Sequence, residues 1–444
     1  MCHCSQIEFD RHESKLIEEI VRDIWNKLVG TSPSYTKGLV GMESRLEAMD
    51  SLLCIGSLDV RMVGIWGMAG IGKTTIAKVI YEQIYTQFEG CCFLSNVREE
   101  SYKHGLPYFQ MELLSQILKE RNPNVGLFNK GINFMKDVLH SRKVLIILDD
   151  VDQRQQLEDL AGDNNWFGSG SRIIITTRDR HLLTCQEVDA IYEVKELDND
   201  EALKLFCLYA FRHRHGTEDF RQLCGHALDY TSGLPLALKV LGSSLYTKGI
   251  HEWESELNKL KQFPNKEVQN VLKTSFEGLD DNEQNIFLDI AFFYKGHDKD
   301  FVGDILDSCG FFFGIGIRNL EDKSLITISE NKLCMHDLLQ EMGWEIVRQK
   351  SEIPSERSRL RVHEDINHVL TTNTVRLKYI NSLFSCVKVL DGSLSLKNTI
   401  QSHSRTHSFV QFYFHYESYY PKIFLVLKIH SSKFPTTLKK VKNK

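Results

Sequence analysis

Between residues 39 and 195, short apolar runs alternate with stretches whose apolar positions recur at helical spacing. The runs 60–66, 91–94, 144–148, 172–177 and 191–194 read as strands. The unbroken run Val144-Leu145-Ile146-Ile147-Leu148 fits a strand buried on both faces, as at the centre of a parallel sheet. Segments such as 74–87 and 153–160 supply the intervening helices, and the alternation predicts a doubly wound parallel α/β sheet. Upstream, Ile7, Leu16, Ile17, Ile20, Ile24 and Leu28 predict a helix over 7–30, ended by Ser32-Pro33-Ser34.

Beyond Glu196 the pattern turns helical. Segments 201–212, 220–230, 234–246 and 252–261 make a compact helical unit, and Pro235 opens one helix where a missing N–H costs nothing. Further helices follow from residue 265. Then Leu325-Ile326-Thr327-Ile328, a polar turn and Leu333-Cys334-Met335 form a hairpin ahead of a helix over 338–348, which suits a winged-helix unit. No repeat of about 20–30 residues is visible. The expected order is a linker helix (1–38), a nucleotide-binding α/β domain (39–195), a helical domain (196–264), a winged-helix domain (265–350), and a linker with a basic tail (351–444).

Composition narrows the class. With 42% hydrophobic and 25% charged residues, the chain is ordinary for soluble globular protein. No run approaches the roughly 20 apolar residues of a membrane helix, and no secretory signal is expected from Met1-Cys2-His3-Cys4. Eleven cysteines without C-x-x-C spacing read as reduced thiols, so cytoplasmic placement is expected, with the nucleus as a second compartment. The net charge of −5 divides into +10 from Arg376 to the end and −15 before it. That basic tail interleaves aromatics around 409–420, as single-strand binders do, but shows no module; a poorly ordered extension is expected.

The chemistry sits at strand ends. Gly67-Met68-Ala69-Gly70-Ile71-Gly72-Lys73-Thr74-Thr75 follows the first strand and matches the phosphate-loop pattern G-x-x-x-x-G-K-[ST]. Its glycines let successive N–H groups face phosphate oxygens. Lys73 brings a point charge to the β- and γ-phosphates, Thr74 offers a hydroxyl to Mg²⁺, and the following helix adds its positive dipole. The pattern arises by chance in roughly 1–2% of chains this long, so a plain glycine turn is the weaker reading. The third strand ends in Asp149-Asp150: Asp149 is the expected Mg²⁺ partner and Asp150 the candidate base that polarises water. An acidic helix cap is the competing reading of the pair. Arg178, at the end of the next strand, is a candidate γ-phosphate sensor, with a solvated arginine beside Asp179 and Arg180 as the alternative.

Together these motifs, with Phe88-Glu89-Gly90-Cys91-Cys92-Phe93-Leu94-Ser95-Asn96-Val97-Arg98-Glu99, Gly168-Ser169-Gly170-Ser171-Arg172, Gly233-Leu234-Pro235-Leu236-Ala237-Leu238, Phe287-Leu288-Asp289-Ile290-Ala291-Phe292-Phe293 and Met335-His336-Asp337, resemble the NB-ARC core of TIR-type plant disease-resistance proteins, which are STAND-class ATPases. The resemblance spans about residues 7–370, and Asp152 after the acidic pair points to the TIR branch. It implies a P-loop switch that is closed with ADP and open with ATP. Leu39 and Val40 would contact adenine, Pro235 would lie near it, and His336 would touch the β-phosphate. ATP-bound chains would form homo- or hetero-oligomers with TIR-type resistance proteins, and hydrolysis would be slow.

Ala69 stands where the family has glycine, tolerable if its φ is negative, and Phe292 replaces a customary cysteine, expected to alter core packing. Neither the NAD⁺-cleaving TIR domain nor leucine-rich repeats are present, so a truncated switch is expected, with residues after about 374 derived from a retained intron or shifted frame. Two other readings compete: an adaptor of full-length receptors, and a winged-helix DNA reader. The second is disfavoured because the helix over 314–323 balances two cations against two acids.

Overall fold

Why the sheet forms is visible in its burial. Strands β1 (Arg61–Trp66), β3 (Val144–Val151) and β4 (Arg172–Thr177) are buried almost throughout. In β2 (Gly90–Leu94) burial alternates, and β5 (Ala190–Glu193) is half-buried along its length. Continuous apolar runs thus lie centrally, with alternating or partly polar strands at the edges. The order is β2-β3-β4-β1-β5, every neighbouring pair parallel. This computed structural model describes residues 39–119, 131–212, 220–261, 263–362, 364–365, 368–369, 408–415 and 424–431. The expected helix over 7–30, the Cys2-His3-Cys4 triplet and most of the tail lie outside them.

The chain divides into two units. The first runs to Trp66 and resumes over Ile71–Thr177 and Leu182–His215; the second takes Gly67–Gly70, Arg178–His181 and the chain from Gly216 onward. In the first unit, helices α1 (Glu43–Leu53), α2 (Lys73–Ile84), α3 (Val97–His104), α4 (Leu106–Leu118), α5 (Gly131–His140), α6 (Arg154–Leu160) and α7 (Arg180–Cys185, its start grouped with the second unit) accompany the sheet. Met62, Trp66, Leu113, Ile146, Leu148 and Ile175 contribute to one buried cluster.

Helix α8 (Asn199–Ala210) groups with the sheet, although its pattern read as the start of the helical unit. Its Ala202 and Phe206 are buried, and Glu201 pairs with Arg45 of α1 at 3.2 Å. A cross-element ion pair of this kind leaves no trace in local periodicity.

Arg172 holds the first unit together from within. It is 1% exposed and donates from Nε to Leu53 O (2.5 Å), from Nη1 to Asp59 O (2.6 Å) and from Nη2 to Cys54 O (2.8 Å). The first and last of these acceptors are carbonyls that the end of α1 leaves unpaired, and Asp59 O belongs to the turn beyond it. Helix α1 stops at Cys54, whose φ of 44° turns the chain left-handed.

In the second unit, α9 (Arg221–Thr231), α10 (Pro235–Leu245), α11 (Ile250–Leu260) and α12 (Lys266–Glu277) precede a winged-helix arrangement. That arrangement comprises α13 (Asp281–Asp289), α14 (Lys299–Ser308), α15 (Phe313–Asp322), the hairpin β6 (Thr327–Ser329) and β7 (Lys332–Cys334), and α16 (Asp337–Lys350). A π turn, Ile290–Tyr294, widens the end of α13. Its Ala291 carbonyl accepts from Gln340 Nε2 and Trp344 Nε1 of α16, both at 2.9 Å. Phe292 lies on the half-buried side of this turn against Phe293, so its bulk enters no packed interior. The expectation that it would disturb the core is corrected accordingly.

In the tail, β8 (Ser408–His415) and β9 (Phe424–Ser431) pair antiparallel, an element the sequence pattern did not predict.

Replacing Arg172 by methionine should lower stability by at least about 3 kcal/mol, because several buried carbonyls lose their donor together. Urea unfolding followed by tryptophan fluorescence would measure it, and a shift under about 1 kcal/mol would contradict the staple.

Candidate nucleotide-binding site

The phosphate loop leaves β1 at Trp66 and enters α2 at Lys73. Gly70 (φ 79°) and Gly72 (φ 103°) take backbone conformations that side chains resist. Gly70 also has no room: a Cβ there would stand 2.8 Å from Leu236 Cβ, and Leu236 N–H donates to Gly70 O at 3.2 Å. At Gly72 the space is open, and no side chain caps the helix it begins. An open glycine before uncapped N–H groups is a cradle for phosphate. Met68, Ala69 and Ile71 are buried, Thr75 is half-buried, and Ala69 takes no positive φ, which removes the strain its methyl would otherwise cause.

Lys73 is 7% exposed and Asp149 1%. Thr74 Oγ1 and Thr176 Oγ1 both donate to Asp149 Oδ1, at 2.8 and 2.7 Å. Strand order explains the convergence, because β4 lies between β1 and β3 and so carries Thr176 to the Asp149 carboxylate. A hydroxyl beside a carboxylate, completed by phosphate oxygens, is a hard-oxygen set suited to Mg²⁺.

The two acids part at an irregularity. The β3–β4 register shifts between Leu148 and Val151, and Asp150 adopts φ 58°. Its N–H donates to Thr176 Oγ1 at 2.9 Å, while its carboxylate lies 3.1 Å from Arg98 Nε on α3. The sequence singled out Asp150 without Arg98, which had appeared only inside a motif.

Leu39 and Val40 are half-buried and run into Gly41, whose carbonyl accepts from Arg45 Nη1. Arg45 also donates to Lys195 O (3.3 Å) and Glu196 O (3.2 Å), fixing the segment that leads into α1. Sequence reading gave Arg45 no role. Its importance depends on residues about 150 positions away.

The remaining candidates belong to the second unit. Arg178 donates to Val271 O and Ser275 Oγ on α12, both at 3.5 Å, and Asp179 pairs with Lys323 at 3.0 Å. Pro235 occupies the first position of α10. His336 Nδ1 accepts from Leu338 N–H (3.1 Å), which leaves Nε2 as the donor to Ser232 O at 3.2 Å. Asp337 accepts from Ser232 Oγ at 3.1 Å and pairs with Lys295. The loop before Pro235 and the start of α16 are therefore bound through adjacent side chains. Burial alone would raise the Asp337 pKa, but Lys295 and Ser232 outweigh it and hold the carboxyl below its usual range.

Glu341, one turn along α16, goes the other way. Burial, then the nearby Asp337 charge, pushes it up to about 7 against the partial relief of the Tyr230 hydroxyl and Arg361. One of its oxygens is buried without a hydrogen bond.

With this geometry in place, the class is defined: a parallel-sheet P-loop protein carrying an NB-ARC domain over residues 42–216. Residues 280–351 match the winged-helix domain described as Disease resistance protein Roq1-like. The chain is 48% identical over 364 residues to Disease resistance protein RUN1 of Vitis rotundifolia, covering 82% of this chain and 27% of that protein. It is 48% identical over 366 residues to Disease resistance protein RPV1 of the same plant, covering 82% and 26%. With TMV resistance protein N of Nicotiana glutinosa it shares 43% identity over 373 residues, covering 82% and 32%. The chain belongs to the NB-ARC disease-resistance family, and it spans about a quarter to a third of the length of these relatives. No helix among the described residues is long and apolar enough to cross a membrane.

Because Glu341 binds its proton more tightly folded than unfolded, its favourable contribution is present below about pH 4.5 and is lost as pH rises through about 7. Glu341→Gln should stabilise the chain at pH 8 by roughly 1–3 kcal/mol and far less at pH 5. Denaturation midpoints across that range would check it, and an equal effect at both pH values would refute the buried-carboxyl origin.

Proposed function

We propose that the chain is an ADP/ATP-binding molecular switch of plant innate immunity. The convergence of Thr74 and Thr176 on Asp149, beside an open glycine cradle and a buried lysine, carries the reading. On it Mg²⁺ lies with Thr74 and Asp149, and Lys73 neutralises the phosphate tail. On the family resemblance, Leu39 and Val40 would contact adenine, Pro235 would lie near it, and His336 would exchange its Ser232 contact for the β-phosphate.

Such a switch requires an element with two arrangements that one phosphate can bias. Support for it is the hold of His336 and Asp337 on Ser232, just ahead of Pro235, together with Arg178 engaged by α12. Loss of those bonds is the event that favours ATP, and oligomers with TIR-type resistance proteins follow in the ATP form. The cytoplasm is the expected compartment.

A DNA-reading role for the winged helix finds little support in its charges. Arg318 faces Asp322 at 4.0 Å, and Lys323 is paired with Asp179, so both cations of the candidate reading helix already face acids.

Lys73→Ala should abolish nucleotide retention. Purified variant that still carries stoichiometric ADP, read by chromatography after denaturation, would sink the site assignment. Asp337→Val, which removes both the Lys295 and the Ser232 contacts, should raise the ATP fraction in the same assay; an unchanged ADP fraction would sever the link between this latch and nucleotide state.

A further inference from the structure

We propose that Arg98 is a positioning residue that restrains ATP hydrolysis by holding Asp150 away from water. The inference rests on the nucleotide-switch reading and assigns that site a control of its own. Arg98 Nε lies 3.1 Å from Asp150 Oδ2, with the side chains 15% and 18% exposed. No hydrogen bond is formed at that Nε, so the two groups meet as an ion pair of imperfect alignment, and breaking it sacrifices no directional bond there.

The rest of α3 fixes Arg98 in place. Gln156 Nε2 donates to Ser101 Oγ at 2.9 Å, and Gln153 Nε2 donates to Tyr102 OH at 2.7 Å. Asp152 N–H and Gln153 N–H both reach Gln156 Oε1, at 3.0 and 3.2 Å. The loop carrying Asp150 is thus tied along α3, while the irregularity after Leu148 directs Asp149 to Thr74 and Asp150 to Arg98.

In hydrolysis, water oxygen bonds to the γ-phosphorus as the bond from that phosphorus to the β–γ bridging oxygen breaks. The products are ADP and phosphate, and the water proton passes to a base and then to a released phosphate oxygen. A general base must come within hydrogen-bond reach of the water whose proton it takes. Asp150 Oδ2 faces a guanidinium instead. Arg98 takes no part in the Thr74–Asp149–Thr176 bonds on which the nucleotide reading rests. Arg98 therefore sets how long bound ATP survives rather than how tightly it binds.

The test is single-turnover hydrolysis of γ-labelled ATP on the full chain, with affinity measured separately by calorimetry. Arg98→Ala and Arg98→Gln should each raise the rate roughly tenfold, part of the gain a positioned base supplies, at unchanged affinity. Arg98→Lys, which keeps a cation, should bring the rate back toward that of the parent. Adding Asp150→Asn to Arg98→Gln should remove the gain. Rates equal to or below the parent with normal affinity would overturn the restraint and leave the switch reading intact. Survival of the gain in the double variant would also overturn it, because Asp150 would then not be the group released. A parent chain that binds neither ADP nor ATP would end both proposals. Arg98→Gln keeps a polar side chain and most of the aliphatic stem while removing the charge, so it decides the matter should Arg98→Ala fail to fold.

Discussion

One carboxylate oxygen organises the site. Asp149 Oδ1 accepts one hydrogen bond from a hydroxyl at the start of α2 and another from a hydroxyl at the end of β4, while the residue itself follows the apolar part of β3. A carboxylate this deeply buried is tolerable only when polar partners replace its water, and here two threonines do so. The same arrangement pins the phosphate loop's helix to the middle of the sheet. Without it, Lys73 would have no fixed point to project from, and Asp150 would lose the Thr176 contact that sets its backbone.

The second unit relies on similar polar fastening. Arg359, 3% exposed, meets Asp289 at 2.5 Å and donates to the Asn285 carbonyl, tying the segment after α16 to α13. At the other end of α16, His336 and Asp337 grip Ser232. Breaking a buried pair strands a charge, whereas the contacts of the exposed Asp337 part more easily. The chain thus fastens firmly behind the winged helix and more lightly where a change of state would begin.

Much of this was legible from sequence, for identifiable reasons. The phosphate loop, the Asp149-Asp150 pair and the strand runs are local patterns, and local spacing suffices to place them. Thr176 was not legible as a partner of Asp149, since its role follows from β4 lying between β1 and β3, an order no periodicity records. Arg45 and Arg98 were hidden for the same reason: each acts on residues distant in sequence. The affiliation of α8 with the sheet escaped because a capping box and an apolar face look alike in either unit. Whether Ala69 is harmless turned on a single dihedral, which a residue name cannot specify.

The contact between Gly70 and Leu236 has a consequence for motion. Where a missing methyl gives the clearance and an amide–carbonyl bond closes the gap, the loop tip and the first turn of α10 are coupled through one contact. A ligand that stiffens the loop would quiet that turn as well, a loss of vibrational freedom that needs no displaced atom to be felt.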